Sequence, residues 1–457
     1  MILKKQMEYS AKFRELASLV GHYDLRARYP ADIDEAGGEL LGRVLGPFCG
    51  GRVLLGRDTR RESEALARSI ASGLNQVGCR PDLMGIVPTP VLSFGARIWG
   101  IPALMVTPSH NPVGQVGVKG ITPQGEIWGE EWDLVRKQLL SGRPSGKHGP
   151  ATLPSGESNK RRTRNELEVA YLASVRKMGH CNLKVALDPR GGATTGWARK
   201  AMQSIGAEVV SVRDRFSPDF FGDSPEPSPE NVVKLSNLIL KTGADFGVTF
   251  DGDGDRAMFV DGYGRAIPPE GIAILLYANE KPRRTPLVAS PDVSHKLSRF
   301  ARVTLAPVGA RNVTKKMKEV GARLGIELSD HYYLREDGYV SDGIRVSCRI
   351  ALAGRDGKSP LPGVQFPSLC RSIFSFPFPN RKALNLAIGM LTRRWQDSHS
   401  LHVGGILLSR GTGQRIFCRA SNTDSLLRIV LEADSDSDLA ILVGFVKGVM
   451  SDRIMGA

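Results

Sequence analysis

Two short stretches carry the residues best suited to chemistry. The first, Val106-Thr107-Pro108-Ser109-His110-Asn111-Pro112, sets a serine hydroxyl beside an imidazole in a proline-bracketed turn. A serine is a weak nucleophile or phosphate carrier unless a neighbour organises it. Such a turn would lift Ser109 into the open, next to His110. The second, Asp251-Gly252-Asp253-Gly254-Asp255-Arg256, places three carboxylates at alternate positions with glycines between them. Hard oxygen donors on so tight a loop suit a divalent cation such as magnesium, and like charges so close would repel without one. A metal held by Asp251, Asp253 and Asp255 would neutralise a phosphate carried on Ser109, with Arg256 orienting the phosphate or the loop.

Each stretch has other readings. Ser109 and His110 could belong to a Ser-His-Asp hydrolase, although no G-x-S-x-G elbow surrounds the serine, or to an ordinary turn. The aspartates fit positions one, three and five of a calcium loop of the EF-hand type. That pattern fails where Arg256 and Gly262 stand in place of glycine and glutamate.

These stretches need rigid elements behind them. The apolar run Ile101 to Val106 ends at the serine turn, and Asp245-Phe246-Gly247-Val248-Thr249-Phe250 reads as the strand that delivers the aspartates. Val53 to Arg60 reads as a buried strand ending in a charged turn. A helix-spaced stretch from Ser63 to Val77 follows, then a strand-like segment ending at Val87-Pro88-Thr89-Pro90. Leu183 to Ala193 starts the same alternation again, as a strand entering the Gly191-Gly192 turn. A helix from about Thr195 to Ile205 and a strand at Glu208 to Val212 come next. A third region opens with strand and turn at Thr285 to Val293 and a basic helix at Asn312 to Lys318. Such β-α-β alternation predicts α/β domains whose functional loops sit at strand ends. Near the start, Gly21 to Pro30 reads as a polar loop with two arginines, and Asp32-Ile33-Asp34-Glu35 could begin a helix.

At 457 residues the chain exceeds a single ordinary core, and 41% hydrophobic against 24% charged residues excludes general disorder. The net charge of +15 suits an anionic partner, nucleic acid or phosphorylated metabolite. The densest basic run, Lys160-Arg161-Arg162-Thr163-Arg164, has no interleaved aromatics, so it reads as a solvated linker or helix start, and no nucleic acid is expected. Six scattered cysteines without a C-x-x-C pair imply neither a disulfide framework nor a zinc site. Met1 to Gln6 lacks a signal peptide's apolar core, and the apolar run Leu439 to Met450 is too short to span a bilayer and carries Lys447. A cytoplasmic protein without a membrane partner is expected.

Taken in order, TPSHNP and DGDGDR resemble the phosphoserine and metal loops of the alpha-D-phosphohexomutase superfamily, of the phosphomannomutase/phosphoglucomutase type. Gly21 to Pro30 resembles that family's YDIRG segment, with Arg26 matching and Ala27 in place of glycine; Gly56 to Arg60 and Pro88-Thr89-Pro90 also fit. Val116-Gly117-Val118-Lys119-Gly120 resembles NGxK with Val116 for asparagine. Gly325 to His331 resembles the sugar-recognition loop GGExSGH: Glu327, Ser329 and His331 match, while Ile326 and Asp330 replace glycines. Asp330 would add a negative charge beside an anionic substrate. Arg419 to Asp424, with Arg428 soon after, resembles the phosphate-binding RxSNTEP; its SNT form leans away from phosphoglucosamine mutase, whose loop usually reads SGT.

The resemblance implies three related α/β domains and a smaller C-terminal α+β domain around a central cleft. Their expected bounds are 1–155 with the phosphoserine loop, 156–267 with the metal loop, 268–376 with the sugar loop and 377–457 with the phosphate loop. It further implies a mutase that interconverts hexose 1-phosphate and 6-phosphate, of mannose, glucose or both, in a monomer or homodimer. Magnesium would be held by Ser109, as phosphoserine, with Asp251, Asp253 and Asp255, and a hexose 1,6-bisphosphate would be the activator. Arg26, Lys119 and His331 would position groups or transfer protons, with His110 supporting the serine. Arg256, Glu327, Ser329, Arg419, Ser421, Asn422, Thr423 and Arg428 would bind substrate. Phosphoglucosamine mutase and a non-catalytic sugar-phosphate-binding relative are the alternatives.

Overall fold

The computed structural model describes residues 2–21, 23–142, 161–278, 285–354, 359–361, 370–378, 380–395, 399–411, 413–420 and 426–454. In chain order the elements begin with α1 (Ile2–Leu19), β1 (Leu25–Arg28), α2 (Glu35–Leu45), β2 (Arg52–Arg57), α3 (Arg61–Gln76), β3 (Arg80–Ile86), α4 (Thr89–Trp99), β4 (Ala103–Val106), β5 (Gln115–Ile121) and α5 (Glu130–Ser141). There follow α6 (Arg164–Arg176), β6 (Lys184–Asp188), α7 (Trp197–Ser204), β7 (Glu208–Ser211), α8 (Val233–Thr242), β8 (Phe246–Phe250), β9 (Ala257–Asp261), β10 (Ala266–Ile267) and α9 (Pro269–Ala278). The rest are β11 (Leu287–Ala289), β12 (Val303–Leu305), α10 (Ala310–Val320), β13 (Leu324–Glu327), β14 (His331–Leu334), β15 (Val340–Ser341), α11 (Gly343–Leu352), β16 (Cys370–Pro377), α12 (Arg381–Arg394), β17 (His399–His402), β18 (Ile406–Arg410), β19 (Gln414–Ala420), β20 (Leu426–Ala433) and α13 (Asp436–Ile454). The chain divides into two units, one of residues 1–280 with 329–364 and one of 281–328 with 365–457.

The first unit holds two sheets of the same plan, ordered β1-β5-β4-β2-β3 and β10-β9-β8-β6-β7. In the first, β2 runs parallel to β3 and β4, and β5 returns antiparallel to β4. In the second, β6 runs parallel to β7 and β8, and β9 returns antiparallel to β8. Every residue of β4 and β8 is buried. A strand buried on both faces favours continuous apolar residues, which is why these two are plain in the sequence. Gly21 to Pro30, expected as a polar loop, instead contains β1, antiparallel to β5. Leu25 and Ala27 are buried while Arg28 is exposed. Two inward residues are too few for an alternation to stand out.

Asp34 caps α2, accepting the Gly37 amide at 2.7 Å, as the acidic run before it suggested. Helices α2 and α3 then cross so closely that glycine is required at the contact. A Cβ on Gly73 would stand 1.9 Å from the Glu39 carbonyl oxygen, and one on Gly42 2.2 Å from that of Ile70. Gly73→Ala is therefore expected to cost about 1–3 kcal/mol by overpacking, read as a lower urea midpoint at unchanged slope. Of the basic run before α6, Thr163 is the cap, in a reciprocal capping box with Glu166. Arg162 and Arg164 lie over the rings of Trp99 and Trp197. The run is thus a helix start, and these two arginines are committed to packing.

In the second unit β11 runs parallel to β12 and to β13, the plan of β2 and β6 repeated. Its C-terminal part is an antiparallel sheet ordered β16-β20-β19-β18-β17, whose inner face packs on α12 and α13 through Leu408, Ile416, Leu427, Ile429 and Leu431. The fold is that of three α/β domains and a fourth, β-rich C-terminal domain. Among the described residues no helix is long and apolar enough to cross a membrane.

Candidate active site

The repeated plan decides where chemistry can sit. The third strand of each repeat ends in one of the loops singled out above: β4 in the serine loop, β8 in the aspartate loop and β13 in Glu327. Carboxyl ends of such strands are where α/β sheets place their ligand-binding loops. The first strands end alike. Asp58, just after β2, and Asp188, the last residue of β6, each accept the amide two residues on, of Arg60 and Arg190, at 3.1 Å.

In the first unit the serine and aspartate loops meet. Ser109 Oγ donates to Asp251 Oδ2 at 2.7 Å, and the Ser109 amide donates to Thr107 Oγ1 at 2.9 Å. Ser109 is only 3% exposed, so the expectation of an open serine is corrected: the aspartate loop, 142 residues later, closes over it. A Cβ on Gly252 would lie 2.5 Å from the Ser109 carbonyl oxygen, so only glycine permits this approach. Ser109 itself has φ of +58°, a left-handed conformation that costs a non-glycine residue about 1–2 kcal/mol.

Arginines from three parts of the unit hold that conformation in place. Arg60, fully buried, pairs with Asp58 and donates to the carbonyls of Ser109, at 3.0 Å, and Asn111. Thr107 Oγ1 donates to the same Asp58 carboxylate at 2.8 Å. From β1, Arg26 donates to the Pro108 carbonyl at 3.0 Å and to Asn111 Oδ1, and is itself held by Asp24 at 2.8 Å. Arg256 spans Glu226 and His110, donating to His110 Nδ1 at 2.8 Å. Burial, then Arg256 and Arg26, pushes the His110 imidazole far below its ordinary value, so it is neutral and accepts. Arg60 and Asp58 were not singled out from sequence as site residues. The Asp-x-Arg spacing shared with Asp188 and Arg190 was the available signal.

Asp251, Asp253 and Asp255 bring one oxygen each to within 4.8 Å of one another and could hold a metal ion. Asp251 and Asp253 are fully buried, and Asp253 Oδ1 has no hydrogen-bond partner. Burial first, then Asp255 and Asp253, raises the Asp251 carboxyl well above its ordinary value. Such a donor set, hard, anionic and partly unsatisfied, fits magnesium. Lys119 Nζ, from β5, donates to Asp253 at 2.6 Å and to Asp255 at 2.8 Å. Burial works against its charge, but the two carboxylates raise it above the ordinary lysine value. His331 Nε2 lies 3.3 Å from Asp255 Oδ1, and its Nδ1 lies 2.8 Å from Ser329 Oγ. Against burial, Lys119 and then His331 hold the Asp255 carboxyl well below its ordinary value.

Asp330, expected to add a negative charge beside an anionic substrate, is buried instead. At φ of +61° its side chain turns inward, where Asp330 Oδ1 accepts the Tyr332 hydroxyl at 3.1 Å. Its carbonyl accepts the Ala257 amide at 3.2 Å, joining this turn to the strand that follows the aspartates. Burial raises the carboxyl to about 7, against the Tyr332 hydrogen bond. Over the window from 3.8 to about 7 the folded protein keeps a proton that the unfolded chain has lost. Stability therefore falls as pH rises through that window and levels off above it. Asp330→Asn is expected to flatten this decline, measured as the change in urea midpoint between about pH 4.5 and about pH 7.5.

The second unit holds the remaining described candidates. Glu327 Oε1 accepts the Gly309 amide at 2.6 Å. Arg419 and Arg428 stand directly opposite on β19 and β20, and Arg428 Nε is buried without a hydrogen-bond partner. Facing guanidiniums repel, so the pair favours an anion. Burial lowers Arg419, with Asp292 opposing that shift. Ser421, Asn422 and Thr423 lie outside the described residues.

Sequence models of the family described as phosphoglucomutase/phosphomannomutase match here as alpha/beta/alpha domain I over residues 17–137, domain II over 165–264 and domain III over 271–362. A phosphoglucosamine mutase of Synechococcus elongatus is 28% identical over 451 residues, covering 93% of this chain and 92% of the relative. A phosphomannomutase/phosphoglucomutase of Pseudomonas putida is 26% identical over 442 residues, covering 92% and 93%. The crystal structure of a phosphoglucomutase/phosphomannomutase family protein from Burkholderia thailandensis has the same fold, with a TM-score of 0.81 at 24% identity over 96% of this chain and 98% of that one.

Proposed function

The chain belongs to the phosphoglucomutase/phosphomannomutase family, and from that premise we propose a phosphohexose mutase that works through phosphoserine at Ser109. The observation that carries this reading is the 2.7 Å hydrogen bond from Ser109 Oγ to Asp251, the first of three clustered carboxylates. In the proposed reaction the bond from phosphorus to Ser109 Oγ breaks as one forms to a hydroxyl at one end of a hexose phosphate. The hydroxyl proton passes to a nearby acceptor, with His331 the candidate, while Lys119, kept as an ammonium by its carboxylates, positions the hydroxyl. The bisphosphate then reorients, and the phosphoryl at the other end returns to Ser109.

Magnesium, held by Asp251, Asp253, Asp255 and the phosphoserine, would offset the negative charge of the transferring group. Arg26, Arg60 and the Arg256–His110 pair fix the serine loop, so that Oγ needs no reorganisation at the moment of transfer. Glu327 and Ser329 are assigned to ring hydroxyls. Arg419, Ser421, Asn422, Thr423 and Arg428 are assigned to the phosphate that is not reacting. A hexose 1,6-bisphosphate would prime Ser109.

The sugar has two readings. The Ser421-Asn422-Thr423 sequence favours mannose or glucose, whereas the relative from Synechococcus elongatus is a phosphoglucosamine mutase. The deciding experiment is turnover of mannose 1-phosphate, glucose 1-phosphate and glucosamine 1-phosphate with magnesium and a trace of bisphosphate. Conversion to a 6-phosphate supports the mutase, and the ranking of substrates names the sugar. Failure of all three with folded, Ser109-phosphorylated protein would overturn the assignment.

A further inference from the structure

The three clustered carboxylates are already engaged by the protein's own groups. Asp251 takes the Ser109 hydroxyl, Asp253 takes Lys119 and the Thr89 hydroxyl, and Asp255 takes Lys119 and sits against His331. One ammonium thus spans two of the three, at 2.6 and 2.8 Å, in a site where the lysine is only 8% exposed. A divalent ion would draw on these same carboxylates, and in so buried a place two cations on one pair of carboxylates repel strongly. The lysine stem, anchored on β5 beside Met105 of β4, leaves only its flexible end free to move.

The geometry points to Lys119 as a built-in counter-cation that competes with the metal ion for Asp253 and Asp255, so that metal loading and release of Lys119 are one coupled event. This rests on the reading of the three aspartates as metal ligands and deepens it. Release hands an ammonium to the neighbourhood of Ser109 only once the aspartates are neutralised by the ion. The amine proposed to act on the sugar is therefore withheld until the metal is in place. Coupling of this kind is reciprocal: whatever anionic ligand draws Lys119 away tightens metal binding by the same factor.

The test is binding of Mn2+ alone, followed through the electron paramagnetic resonance signal of the free ion, with Mg2+ by calorimetry as a second probe. Lys119→Met is expected to bind either ion on the order of tenfold more tightly than the unaltered chain, within the usual range of coupling between sites. Lys119→Gln keeps a hydrogen-bond donor for the carboxylates and shows the same direction if Lys119→Met does not fold. Lys12→Met, which removes the same charge from a partly exposed pair with Asp34, leaves affinity unchanged. The melting temperature of Lys119→Met rises more on adding Mg2+ than that of the unaltered chain, because Asp253 and Asp255 have then lost their ammonium and only the ion restores a cation to them. Equal or weaker affinity in both Lys119 variants overturns the competition. Absence of binding to any form overturns the metal reading together with it. Neither result touches turnover, which the sugar-phosphate assay reads separately.

Discussion

Ser109→Ala is expected to lower conversion of any hexose 1-phosphate by about 10³-fold or more, equivalent to about 4 kcal/mol of transition-state stabilisation. The loss follows from atoms rather than from shape, since no other described side chain offers a hydroxyl to Asp251. Alanine at φ of +58° keeps the conformational cost that serine already bears, so the loop loses one hydrogen bond and little else. A stability change of about 1 kcal/mol or less should accompany the kinetic one, which separates chemistry from unfolding. The measurement pairs the assay with intact mass. The unaltered chain, incubated with bisphosphate and magnesium, should gain one phosphoryl group that the variant does not. Ser109→Ala protein that still turns substrate over at the original rate would remove Ser109 from the mechanism and leave the aspartates without their proposed partner.

What could be read from sequence was set by how local each cause is. The runs that become β4 and β8 were legible because strands buried on both faces favour near-continuous apolar residues. The loops after them stood out because serine between prolines and aspartates between glycines are unusual compositions with few uses. Strand β1 was not legible, since its inward set is two residues long and its arginines look solvated. Nor was the burial of Ser109, because the loop that covers it arrives from 142 residues away. Asp330 reads from the sequence as a negative charge beside an anionic substrate. Only its burial and its contact with the Tyr332 hydroxyl reveal a carboxyl turned into the interior. Arg60 failed for the same reason. A charged residue in a turn has a bland explanation until its partners are known, and those partners lie 49 and 51 residues on.

That last residue carries the largest expected effect on stability. Arg60→Met should destabilise the folded chain by about 3–5 kcal/mol, the usual consequence of removing one partner of a fully buried ion pair. Asp58 would keep only Thr107 and the Arg60 amide for a carboxylate with no exposed surface. The carbonyls of Ser109 and Asn111 would lose their guanidinium donor at the same time. Methionine fills much of the arginine's volume and retains contact with the Phe220 ring, over which the guanidinium now lies at 4.7 Å, so lost packing is the smaller part. Arg60→Lys should rescue little, because a single ammonium cannot reproduce the planar fork that reaches one carboxylate and two carbonyls. Equilibrium urea unfolding decides the matter. A midpoint close to that of the unaltered chain in Arg60→Met would mean that Asp58 is satisfied without Arg60. The left-handed serine turn would then have to be held by Arg26 and Asn111 from the β1 side.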